Sequence, residues 1–189
     1  MTPMLGIMAS SRLVASTAYE SIASATGTGS ANSITFSSIP STYQHLQIRA
    51  ILKNTNAVGT GAYSTYLTAN GTGGTSYSAH RLFGDGATAG ASGNASAAYI
   101  DTYGGVASSA AGRTDLFGAI IIDLHDYAST TKNKTFRIFS GYDYNGGGGI
   151  ELTSGLFIST GAVTSLTLQT SASNWTTTTT FALYGIKGA

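Results

Sequence analysis

The sequence predicts an all-β chain: an antiparallel, jelly-roll-like β-sandwich of about ten strands with an extended N-terminal arm. Three observations carry this. Short segments alternate apolar and polar residues and recur roughly every 8–12 residues, the mark of strands with one wet face. No segment shows a helical period. Polarity comes from Ser, Thr, Asn and Gly, while only 9% of the 189 residues are charged and 42% are apolar. Such a chain is too apolar for disorder and carries too little charge to keep neighbouring copies apart.

The elements follow in order. Residues 1–17, MTPMLGIMASSRLVAST, are read as an arm for docking or assembly, and residues 18–189 as the sandwich domain. The arm is apolar, but Pro3, Gly6 and Arg12 interrupt it where a secretory signal needs an unbroken run. No stretch reaches the roughly 18 apolar residues of a membrane helix. YESIAS (19–24) is the first strand, and NSITFSSIP (32–40) puts Ile34 and Phe36 on one face before Pro40 stops it. HLQIRAILK (45–53) is the clearest: Leu46, Ile48, Ala50 and Leu52 point one way, His45, Gln47, Arg49, Ile51 and Lys53 the other. AYSTYLTAN (62–70), with Tyr63 and Leu67 on one face and Tyr66 on the other, precedes YSAHRLFG (77–84) and AAYIDTYGG (97–105).

The small-residue stretch GDGATAGASGNASAA (84–98) reads as a loop lying over a surface or against a neighbour. LFGAIIIDLHDY (116–127), β-branched and apolar, reads as a central strand. KTFRIFSGYDY (134–144), IELTSGLFIS (150–159) and AVTSLTLQTS (162–171) come next. In the closing TTTTTFALYGIKGA, Phe181, Leu183 and Gly185 alternate with Ala182, Tyr184 and Ile186, so both faces are largely apolar and the strand is expected between others. The threonines before it read as a β-prone lead-in, and Lys187, Gly188 and Ala189 as the only residues reaching solvent. Ile48 and Ile121 are both expected in the core.

Chemistry finds little footing. Asp123, His125 and Tyr127 share one face of a strand by parity, with Asp126 opposite, and His45 and His80 lie on two other strands. Three imidazoles and a carboxylate are a zinc donor set, but no spacing joins them. Asp143 and Glu151 flank YNGGGGI; a glycosidase needs two facing carboxylates, whereas the glycines between these read as a hairpin tip. DYNGGGG starts like a calcium loop, yet Ser154 stands where the bidentate glutamate belongs. No Lys-Ser/Thr pair follows the glycines to cradle phosphate, and no G-x-S-x-G elbow occurs. The chain is therefore expected not to be an enzyme, with no catalytic residues, cofactor or metal.

A net charge of +1 without a basic cluster gives no footprint for nucleic acid or an anionic membrane, and the absence of cysteine rules out disulfides and thiolate metal sites. Sequons at Asn70, Asn94, Asn133 and Asn174 follow from composition. Tyr63, Tyr66, Tyr77, Tyr99, Tyr103, Tyr142, Tyr144 and Trp175 are rings of the kind that stack on sugars or anchor interfaces, or that fill a sandwich core.

The stretches AYESIASATGTGSANSITFSSIPSTYQHLQIRAILKN, YSAHRLFGDG, LFGAIIIDLHDYASTTKNKTFRIFSGYD and FALYGIKGA together resemble small structural proteins of tailed bacteriophages, often called tail-fibre proteins. The resemblance spans about residues 18–189 and rests on motifs of a fold, so no site residue comes with it. It implies a virion component made in the host bacterial cytoplasm. The expectation is a homotrimer that assembles with other tail or capsid proteins: a tail-associated fibre or adhesin component meeting host surface glycans, with a capsid head-decoration or cement protein as the alternative.

Overall fold

The computed structural model describes residues 18–57, 63–102, 104–107 and 115–188. The expected N-terminal arm, Tyr103 and Ala189 lie outside them. Among the described residues there are twelve strands and no helix: β1 (Tyr19–Thr26), β2 (Ser33–Phe36), β3 (His45–Leu52), β4 (Thr65–Ala69), β5 (Tyr77–Gly84), β6 (Ala89–Ala97), β7 (Ile100–Asp101), β8 (Gly118–His125), β9 (Lys134–Asp143), β10 (Gly148–Phe157), β11 (Leu166–Thr170) and β12 (Thr180–Ile186). All pairings between them are antiparallel.

The larger sheet runs β1-β12-β3-β8-β9-β10-β5-β6 and the smaller β2-β11-β4-β7. The order β1-β12-β3-β8 opposite β2-β11-β4-β7, with the chain crossing between sheets after β1, β2, β3, β4, β6, β7, β10 and β11, is that of an eight-stranded jelly roll. The hairpins β5–β6 and β9–β10 are additions to it. They join as β9-β10-β5-β6 and widen the larger sheet on one side.

The core lies between the sheets. Leu46, Ile48, Ala50 and Leu52 of β3 are buried as their alternation predicts, and so are Ile120, Ile122 and Leu124 of β8, Phe136 and Ile138 of β9, and Phe181 and Leu183 of β12. Phe36, Leu67, Leu166 and Leu168 meet them from the smaller sheet. Each such side chain contributes roughly 1.5–3 kcal/mol on burial. Trp175 meets Phe181 edge-on at 5.3 Å, and Tyr77 stacks on Phe157 at 5.0 Å.

Several expectations are corrected. Residues 89–97 are not a loop: they pair with β5 as β6, behind a turn in which Asp85 Oδ1 accepts from the N–H groups of Ala87 and Thr88. Ile121 is not core, because β8 presents its even residues inward and Ile121 outward. Tyr127 does not share a face with Asp123 and His125. The strand ends at His125, Asp126 takes a left-handed conformation at φ 47°, and Tyr127 turns inward, donating its hydroxyl hydrogen bond to the Pro40 carbonyl. The threonine run is a turn before it is a strand: Thr179 N–H donates to Thr176 O at 3.1 Å, and only Thr180 joins β12. Lys53 is buried past the end of β3, its backbone exchanging hydrogen bonds with the Thr179 hydroxyl.

The C-terminal strand stands as expected, between β1 and β3. Lys187, expected in solvent, is instead half-buried in an ion pair with Glu20 on β1, so the last strand is tied to the first.

Candidate functional site

The residues with chemical potential are scattered. His45 and His125 are neighbours on β3 and β8, their rings edge-on at 5.2 Å, and His45 Nδ1 accepts from the Asp126 N–H at 3.0 Å. The Asp126 carboxyl is held below the usual carboxylate range, first by its hydrogen bond from Lys132 at 2.7 Å. His80 sits on β5, four strands away from β3 in the sheet, roughly 19 Å at the usual inter-strand spacing. Among the described residues no three His, Asp or Glu side chains converge as metal ligands.

Asp143 and Glu151 flank a hairpin tip as expected, with Asn145 and Gly146 at positive φ and Tyr144 N–H donating to Gly147 O at 3.0 Å. They point to opposite faces and cannot act as a facing pair. Asp143 is exposed on the outer face, where its Oδ1 accepts from the Asn145 N–H. Glu151 lies on the inner face, 3.1 Å from the Arg81 guanidinium. Burial raises its carboxyl to about 7 against the opposing pull of Arg81.

The tyrosines form no single platform. Tyr77 and Trp175 are fully buried, and Tyr63 packs against the core. Tyr66 and Tyr99 stack on each other at 4.0 Å on the outer face of the smaller sheet, where burial pushes the Tyr66 hydroxyl up to about 12. Tyr142 and Tyr144 stack at 5.8 Å near the β9–β10 tip.

The two outer faces differ. On the smaller sheet, Thr35, Thr68, Thr167 and Gln169 point outward, with the hydroxyls of Thr35 and Thr167 hydrogen-bonded at 2.9 Å. On the larger sheet the outward rows begin polar, with Gln47 donating to Asp123 at 2.7 Å and Arg137 paired in register with Asp123. They then become apolar across β8, β9, β10 and β5, and on β3 at Ile51, one row beyond the exposed Arg49. Ile51, Phe139, Ile150, Leu152 and Leu82 each expose between 46% and 61% of their surface, and Ile121, Ala119 and Ala91 fill the gaps between them in register.

A sandwich strand's outward side chains are ordinarily polar, so one apolar residue there means little, but a contiguous apolar band is the kind of surface that interaction sites present. An open concavity of about 750 Å³ in this band is lined by Phe139, Ile150, Ala119 and Ile121, with Asp85 and Asp143 at its rim. This face is the candidate site. The sequence reading missed it by treating apolar outward residues as covered core.

No known protein family, curated protein or solved structure matches the chain.

Proposed function

We propose that this protein is a non-enzymatic structural component of a tailed-bacteriophage virion that assembles with copies of itself and with other virion proteins. The single observation that carries the reading is the apolar outer face of the larger sheet, which is the kind of surface a structural subunit covers with a neighbour. The jelly-roll order, which capsid and lectin domains share, and the near-neutral surface support it. A tail-associated fibre or adhesin role comes with the resemblance of the sequence to tail-fibre proteins.

Head decoration is the second reading, and the paired tyrosines favour it. Tyr66 with Tyr99 and Tyr142 with Tyr144 cover one another, which leaves fewer open rings for a host glycan. Immunogold labelling of purified particles distinguishes the two: label on the tail supports the adhesin, label on the head supports decoration, and absence of the protein from particles overturns both. Incubation with host polysaccharide is expected to yield no shortened chains; shortened products would overturn the non-enzymatic reading.

A further inference from the structure

We propose that the apolar face is self-complementary and takes the same face of a second copy, stacked face to face about a two-fold axis that lies in the interface and crosses the strands. The proposal rests on reading this face as an assembly surface and goes further by naming its occupant and orientation.

The outward residues of the larger sheet form rows across the strands, fixed by register and about 6.7 Å apart along each strand. One row holds Asp123 of β8, Arg137 of β9, Ser154 of β10 and His80 of β5. The next holds Arg49 of β3, Ile121, Phe139, Leu152 and Leu82. The third holds Ala119, Gly141, Ile150 and Gly84. Beyond it stand Asp143 and, in the β5–β6 turn, Asp85.

A two-fold axis across the strands, between the second and third rows, lays each strand antiparallel on its own copy and exchanges the rows. Phe139 then faces Gly141 of the second copy, Leu82 faces Gly84, and Ile121 faces Ala119. Bulky side chains thus meet small ones in three of the strands, the arrangement by which packed layers interdigitate, while Leu152 meets Ile150 and, at the edge of the face, Arg49 meets Ile51. The same operation sets Arg137 over Asp143 of the second copy and Asp143 over its Arg137, so one Arg–Asp pair forms twice, with Asp123 beside each Arg137 in its own row. An axis parallel to the strands would set like on like.

Two further observations agree. Gly84 is not required by its own fold, since a Cβ there would meet nothing nearer than 3.7 Å, so the space it leaves faces outward. The face spans five strands and four rows, a flat footprint of roughly 400–500 Å² before side-chain relief, somewhat over half of the about 800 Å² that each partner of a standard interface buries.

The contact is isologous, so the smallest assembly is a dimer. A homotrimer would need an additional head-to-tail contact, and the two together give six copies.

The test is sedimentation of the full chain with single substitutions on this exposed face, with circular dichroism as the check on folding. The wild type is expected as dimers or hexamers at about 100 µM, and Phe139→Asp is expected to raise the dissociation constant at least about 100-fold. Arg137→Glu and Asp143→Lys, alone, each place like charges together and should weaken association about tenfold or more. Mixed in equal amounts, those two variants should associate with wild-type affinity, because each supplies the charge the other needs.

A wild type that stays monomeric or only trimeric overturns the proposal. So do single variants that associate normally, or a mixture that fails to recover. Presence in particles is scored separately: a monomeric protein found in virions removes the dimer but keeps the structural role, and a dimer absent from virions does the reverse.

Discussion

Glu151 gives the fold a pH dependence that can be read directly. Its carboxyl is pushed up to about 7 in the folded chain from an ordinary value of 4.5, chiefly because it is buried. Below about pH 4.5 it is protonated in both states and costs nothing. As pH rises toward 7 the unfolded chain releases the proton while the folded chain keeps it, so stability falls, and above about pH 7 the full loss has been taken. At about 1.4 kcal/mol per tenfold the gap amounts to about 3 kcal/mol, a large share of the roughly 5–15 kcal/mol of a small domain.

Glu151→Gln keeps an oxygen to accept from Arg81 and does not titrate. Urea unfolding of both proteins between pH 4 and 8 should show the wild type losing about 3 kcal/mol relative to the variant across that window. Parallel stability curves would refute the burial argument and mean that the carboxylate stays ionised in the fold, stabilised by Arg81.

Three more outcomes follow from named contacts. Ile48→Asp should fail to fold, because it buries an unpaired charge in a side chain 1% exposed, whereas Ile121→Asp should fold and melt near the wild-type temperature; circular dichroism on both decides the facing of β3 and β8. Lys134→Met should cost about 2–4 kcal/mol in urea unfolding, since the fully buried ammonium donates to the carbonyls of Lys132, Ser129 and Thr160 at 2.6, 2.7 and 3.1 Å; a loss under about 0.5 kcal/mol would show that water satisfies them. Removing residues 181–189 takes out most of β12 and two core side chains, so the truncated chain should be insoluble or unfolded, and a cooperative melt from it would contradict the placement of that strand.

All eleven segments with alternating or β-branched character contain strands, because for them local pattern and tertiary burial ask for the same thing. β6 was illegible: Ala, Gly, Ser and Asn favour neither strand nor burial, and its conformation is imposed by β5 alongside. The turn at Asp126 was illegible for a different reason. A single left-handed residue shifts the parity of everything after it, so Tyr127 changes face although the sequence alternation runs on.

The candidate face could have been found. In GAIIIDLH both parities are apolar at Ile120, Ile121 and Ile122, and the same holds at Phe136 to Phe139 apart from Arg137. A two-sided apolar pattern says that both faces want cover, but it does not say that the second cover lies in the same chain.

Lys134 bears on the conditions in which the protein can work. Its ammonium group binds backbone oxygens from residues 129–132 and 159–160, as a small cation bound between two loops would. Unlike a free ion it is tethered, so it cannot be washed out, chelated or exchanged for a competitor. The loops on that side of the sheet therefore have a cross-link that needs no metal from the medium and, being buried, is little screened by its salt.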